Sequence, residues 1–252
     1  RRRALLVSAL DLAIPGTFAE AVEWAKARGV VLPAEFYGVI ADEAKGKAFT
    51  VSGLAGLAQI QTAMNSLTTA LEMGETFDSW QSRMADTLEL SMPHMETVFR
   101  NFVQQAYNAG RWKQFEKNAG NRPYLMFSAI NDSRTTEVCR QRNGIIRRVD
   151  DPFWRRNSPQ CHHNCRSTLI ALTESQAKAR SKGDKGLNQD NPRDPVIGGW
   201  GYKPSGEDIA AGLVTAIADA AAKAPASWLG TLLGFFAGGW ASIVGWISKI
   251  FG

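Results

Sequence analysis

Residues 91–115 read SMPHMETVFRNFVQQAYNAGRWKQF, and their spacing decides the fold class. Met95, Val98, Phe99, Phe102, Ala106, Ala109 and Phe115 recur at helical spacing, which aligns them as the buried stripe of one α-helix. Ser91 suits its N-cap, and the helix is the longest that the chain predicts. Arg100, Gln104, Asn108 and Arg111 lie mainly on another face. Two readings of that face stand: a solvated surface, or a polar surface that binds a partner.

The sequence before this helix is also helical. Thr17 can cap a short helix running to about Arg28, where Gly29 ends it, and Pro33 suits the start of the next. From Ser52 to Met73, Leu54, Leu57, Ile60, Met64, Leu67 and Leu71 form an amphipathic stripe, ended by Gly74. Phe77, Trp80, Met84 and Leu88 continue in a shorter helix.

The pattern changes after the long helix. Tyr124 to Ile130 predicts a strand, followed by a turn at Asn131-Asp132-Ser133. Asn143-Gly144 is a hairpin signal, with Ile145-Ile146 opening the returning strand, and Ser167 to Leu172 predicts another. Gly, Pro, Asn and Asp are dense over 181–206. The chain therefore reads as α+β in four parts. Residues 1–120 form a mostly helical arm, and 121–180 a small β-hairpin module. Residues 181–206 are an extended linker, and 207–252 an Ala-rich helix followed by an apolar helix or helical hairpin.

Composition bounds what this chain can be. Of 252 residues 44% are hydrophobic, which excludes wholesale disorder. The net charge of +5 sits entirely within 132–196, where 13 basic residues face 8 acidic ones. Three Cys within 27 residues do not make a secreted disulfide framework. The chain opens Arg1-Arg2-Arg3 with no initiator Met and no ordinary signal peptide, so a trimmed or partly missing N-terminus is expected.

Cys161, His162, His163 and Cys165 fall within five residues, and Cys139 lies upstream. Zn²⁺ takes four thiolate or imidazole ligands in a tetrahedron. Cys139, Cys161 and Cys165, with His162 or His163, offer such a set, and zinc is the only cofactor this chain suggests. Three other readings stand beside it: buried thiols with a histidine bonded to backbone, a disulfide, or a Cys/His nucleophile and base. No third group orients such a pair, so no enzyme is expected.

Arg140, Arg142, Arg147, Arg148, Arg155, Arg156 and Arg166 are opposed within their span only by Asp150 and Asp151. Guanidinium groups suit phosphate, and Phe153 and Trp154 between them suit a nucleic-acid surface. The other reading is a capped turn, Asp150-Asp151-Pro152-Phe153-Trp154, whose aromatics fill the core while the arginines are solvated. Non-specific DNA proximity is expected, and sequence-specific readout is not.

Nothing from Ala224 to Ser248 is charged. As a helix, Trp228 to Ile247 would be about 30 Å long, enough to cross a bilayer core. Trp228, Phe235, Phe236, Trp240 and Trp246 are its candidate contact residues, against other subunits or a membrane.

Several segments together resemble the phage Mu F-like family of minor head proteins, also called head morphogenesis proteins. They are Lys47–Val51, Val98–Arg111, Asp132–Thr136, Asn143-Gly144, Asp150–Trp154 and Asn164-Cys165-Arg166. The resemblance spans about residues 45–172, and is weaker over 17–44 and 199–204. The family's usual His-x-Asn-Cys-Arg-Cys ending appears here as His162 to Ser167, with Ser167 in place of the last Cys. The resemblance implies a virion protein present in a few copies, in the head interior or at the portal vertex, and in the host cytoplasm during assembly. The implied partners are the portal protein, other head proteins and packaged double-stranded DNA. Two alternatives stand: an ejection protein whose residues 225–251 enter the host membrane, or a module of a secreted effector or enzyme.

Overall fold

The computed structural model describes residues 18–27, 51, 54, 57–181, 192–196 and 200–204. The expected helix after Pro33, most of the linker, the Ala-rich helix and the uncharged tail lie outside the described residues.

Four helices open the described chain: α1 (Ala19–Ala27), α2 (Leu57–Met73), α3 (Phe77–Met84) and α4 (Met92–Lys117). Gly74, at φ 64°, ends α2 in the left-handed region where a Cβ is costly. Thr76 caps α3 by accepting the Ser79 N–H at 3.3 Å. The expected helix over 77–88 stops at Met84, and residues 85–88 form turns that still bury Leu88. Ser91 stands at the N-cap of α4 but makes no side-chain cap bond.

The stripe expected on α4 is buried except for Val98, which is half-buried and packs at the edge. Met95, Phe99, Phe102, Ala106 and Ala109 join Trp24, Ile60, Leu67 and Trp80 in one core. The Phe99 ring lies 5.4 Å from Trp80 and 5.8 Å from Phe77, within the range of favourable aromatic pairs. Trp80 is fully buried and donates Nε1–H to Ser66 Oγ at 3.0 Å. Truncating such a ring costs about 3–5 kcal/mol. At Gly110 the backbones of α1 and α4 nearly touch. A Cβ there would stand 2.8 Å from the Phe18 ring and 2.9 Å from the Ala21 nitrogen.

The last turns of α4 belong to a second core. Trp112 and Phe115 pack with Leu125, Phe127, Ile145, Phe153, Trp154 and Leu169. These come from a three-stranded antiparallel sheet of order β2-β1-β3, made of β1 (Tyr124–Ser128), β2 (Ile146–Arg148) and β3 (Thr168–Leu172). Side chains alternate across β1. Leu125 and Phe127 face α4, while Met126 faces Ile146, Leu172 and Ala177 of α7 (Glu174–Arg180). Thr173 and Gln176 close a capping box at the start of α7.

The expected two-residue hairpin at Asn143-Gly144 is not formed. Thr136 caps a short helix, α5 (Glu137–Arg142), which intervenes between β1 and β2. Asn143 is the C-cap of that helix, and Gly144 at φ 81° turns the chain into the sheet. Asn143 Oδ1 accepts the Ala129 N–H at 2.9 Å, and Gly144 N–H reaches the Phe127 carbonyl at 2.9 Å. The Asn-Gly pair thus steers the return of an antiparallel strand, with a helix in place of a tight turn. A further helical turn, α6 (Trp154–Asn157), follows β2.

Candidate functional site

The loop between α6 and β3 carries Cys161, His162, His163 and Cys165. It folds back beneath α5, which supplies Cys139. Cys139 Sγ lies 3.2 Å from His162 Nε2 and 3.6 Å from Cys165 Sγ. The three ligand atoms lie within 4.8 Å of one another. All three thiols are buried and free of disulfides. Sequence spacing left His162 and His163 as alternatives, and the fold separates them. His162 turns into the thiols, with Nδ1 held 2.8 Å from the His163 carbonyl. The His163 ring turns away to Asn101, at 3.1 Å, and to Trp200, edge-on at 4.7 Å. Cys161 is fully buried, with Sγ 3.5 Å from the Ser158 carbonyl.

These groups polarise one another. Hydrogen bonding to Cys139 and then Cys165 raises the His162 imidazole to about 10. Bonds from Cys139 and Cys161 hold the Cys165 thiol well below its ordinary range. The same two partners, Cys139 and Cys165, push Cys161 up, and burial adds to that. Burial lowers His163, and the charges of His162 and His94 act the same way.

The long helix holds this loop from the other side. Asn101 Oδ1 accepts the Asn164 N–H at 2.7 Å and Gln160 Nε2 at 2.8 Å. Asn164 reaches Thr97 at 3.4 Å. Further along, Gln104 donates to the Ser167 carbonyl at 3.3 Å. Arg111 donates to Thr168 Oγ1 at 2.6 Å and to the Leu169 carbonyl at 2.9 Å. Asn108 is buried between them. The polar face of α4 therefore docks the β module within the chain. Its working stripe is Thr97, Asn101, Gln104, Asn108 and Arg111, at alternating steps of four and three. A strict step of four from Arg100 drifts about 40° per turn off a 3.6-residue period. Arg100 accordingly falls beside the stripe and pairs with Glu96 at 2.7 Å. The sequence reading missed Asn101, which that alternating step would have found.

The seven arginines divide by burial. Arg142 is 1% exposed and donates to the Val138 and Asp194 carbonyls and to Asn157 Oδ1. Arg147 is also buried, with its guanidinium 5.4 Å over the Phe153 ring. Neither faces solvent, which corrects their placement on a DNA-facing surface. Arg166 grips Asp132 through two bonds of 2.7 and 2.6 Å. That bond, above all, holds the Asp132 carboxyl below the usual carboxylate range. Arg140, Arg148, Arg155 and Arg156 are exposed. The aromatics between them are core residues. Phe153 N–H is capped by Asp151 at 2.8 Å, and Trp154 Nε1 donates to the Arg148 carbonyl at 2.8 Å.

The docked helix, the sheet and the thiol loop all fall in one stretch, and residues 60–170 match the family described as phage Mu protein F-like protein. That stretch is similar to the phage Mu F-like family. Over 181 residues the chain is 26% identical to the putative capsid assembly protein F of Escherichia phage Mu, covering 63% of this chain and 41% of that protein. Over 94 residues it is 34% identical to the Mu-like prophage FluMu F protein of Haemophilus influenzae, covering 37% of this chain and 23% of that one. The chain thus spans less than half the length of either relative. No solved structure matches it. The matched stretch contains every thiol and histidine of the cluster and all seven arginines. Trp228, Phe235, Phe236, Trp240 and Trp246 lie outside the described residues. Among those that are described, no helix is long and apolar enough to cross a membrane.

Proposed function

We propose that this chain is a structural minor head protein of a tailed bacteriophage. It acts in head assembly at the portal vertex, with a part in genome retention or delivery. The observation that carries this reading is the similarity of residues 60–170 to the phage Mu F-like family, and of the chain to a relative named for capsid assembly. Its partners are the portal protein and other head proteins, and several copies enter each virion, in the head interior or at the vertex. Packaged double-stranded DNA meets the exposed Arg140, Arg148, Arg155 and Arg156 without sequence preference. Arg100 extends the contact surface of α4 to a neighbouring subunit. No catalytic step is assigned to the chain.

The test is sedimentation. Tagged full chain, produced with the portal and coat proteins of the same phage, is expected to travel with heads in a few copies. A chain left at the top of the gradient, while heads form normally without it, overturns the reading.

The uncharged stretch from Ala224 to Ser248 favours a second reading, in which residues 225–251 contact the host membrane during DNA delivery. Flotation with liposomes separates the two. Binding by the full chain, and not by one ending at Lys223, supports membrane contact. Equal behaviour of the two chains overturns it.

A further inference from the structure

We propose that Cys139, Cys161, His162 and Cys165 form a structural zinc centre that fastens α5 to the loop before β3. The inference is independent of the role in head assembly.

The first support is distance. Zinc bonds thiolate sulfur at about 2.3 Å and imidazole nitrogen at about 2.0–2.1 Å. A tetrahedron with those arms has S···S edges of about 3.8 Å and S···N edges of about 3.6 Å. The edge between Cys139 and Cys165 is 3.6 Å, and that between Cys139 and His162 is 3.2 Å. The sulfurs are far too distant for a disulfide, which needs about 2.05 Å. They stand at nearly the separation that one shared ion imposes.

The second support is the orientation of the imidazole. His162 Nδ1 faces the His163 carbonyl at 2.8 Å. A proton on Nδ1 satisfies that carbonyl and leaves the Nε2 lone pair between Cys139 Sγ, at 3.2 Å, and the Thr136 hydroxyl, at 2.9 Å. Backbone carbonyls commonly fix metal-bound histidines in this way.

The third support is charge. Arg142 cannot lose its proton, yet it is buried and its hydrogen bonds run to two carbonyls and an amide oxygen. It stands one turn after Cys139 on the same helix, α5. Three thiolates, one neutral imidazole and Zn²⁺ carry a net charge of −1, a counter-charge for that guanidinium.

Cys161 completes the set. It is fully buried four residues before Cys165, and its sulfur, now 3.5 Å from the Ser158 carbonyl, turns from that carbonyl to complete the shell. Three thiolates and one imidazole are a recognised structural zinc shell, and soft thiolates select zinc over hard cations. Relative to three thiols and a neutral histidine, binding one Zn²⁺ releases three protons. No electron moves.

The test uses the full chain purified from cells grown with added zinc. Elemental analysis is expected to give one zinc per chain. X-ray absorption at the zinc edge is expected to show three sulfurs and one nitrogen. Cobalt(II) exchanged into the site should give tetrahedral bands with thiolate charge transfer, and Cys161→Ser should remove one thiolate's share of that intensity. A folded chain without metal overturns the proposal, as does a disulfide between Cys139 and Cys165. A shell of two sulfurs overturns the assignment of Cys161. The absorption measurement needs no variant, so it decides even where Cys161→Ser does not fold.

Discussion

The side-chain oxygen of Asn101 accepts the backbone N–H of Asn164, 63 residues further along the chain, at 2.7 Å. The same oxygen takes Gln160 Nε2 at 2.8 Å. One amide on the long helix thereby fixes two points of the thiol-bearing loop. Asn101→Ala removes the acceptor and leaves both donors facing a gap. A loss of about 1–3 kcal/mol is expected. Urea unfolding monitored by tryptophan fluorescence measures it, and an unchanged midpoint would show that water replaces the amide at no cost.

Arg111 makes a different kind of bond, a fork that straddles the first two residues of β3. Lysine keeps the charge but cannot place two donors in one plane. Arg111→Lys should lose about 1.5–3 kcal/mol, the range for a hydrogen bond to a charged group. Hydrogen exchange is expected to accelerate in β3 more than in α2. Uniform acceleration would indicate a global effect instead.

Asp132 gives the acid limb of stability. Its carboxyl is held below the usual carboxylate range, first by Arg166 and then by Thr135 and the Arg134 N–H. A depressed carboxylate contributes stability above its unfolded value, about 3.9, and loses it as pH falls towards the lower folded value. Thermal melts should therefore show a fall in Tm from about pH 4 downward that Asp132→Asn flattens. Parallel pH profiles for the two proteins would remove Asp132 from the account.

The exposed arginines are testable through salt. Each phosphate contact adds about 0.9 to the slope of log K against log salt on duplex DNA. Replacing Arg148, Arg155 and Arg156 together by Gln should reduce that slope by about 2–3. Arg142→Gln should leave the slope alone and lower Tm, because it empties a buried network. A triple variant with the native slope would take DNA away from this surface.

The helical half was legible because 26 residues of α4 repeat one apolar period many times over. The edges of β1 and β3 were nearly right because their alternation sits between turn residues. The hairpin at Asn143-Gly144 was misread because that pair serves equally well to end a helix. Six residues, Glu137 to Arg142, are too short to display a period, and only the Thr136 cap announces them. Local density made the cysteine and histidine cluster visible, and the fold shows that His162 faces Cys139 while His163 faces Asn101. The burial of Arg142 and Arg147 had no signal in the sequence. Both look like members of a charged run, and only the packing of α6 and residues 192–196 shows that they are enclosed.

One consequence follows from α4 lending its first turns to one core and its last turns to the other. The seam between the arm and the sheet runs through the middle of a continuous helix. A protease finds no strand of slack there, because Met92–Lys117 is helical without a break. Parting the arm from the sheet therefore means breaking the hydrogen-bond ladder of a helix, where a jointed protein would only have to bend a linker.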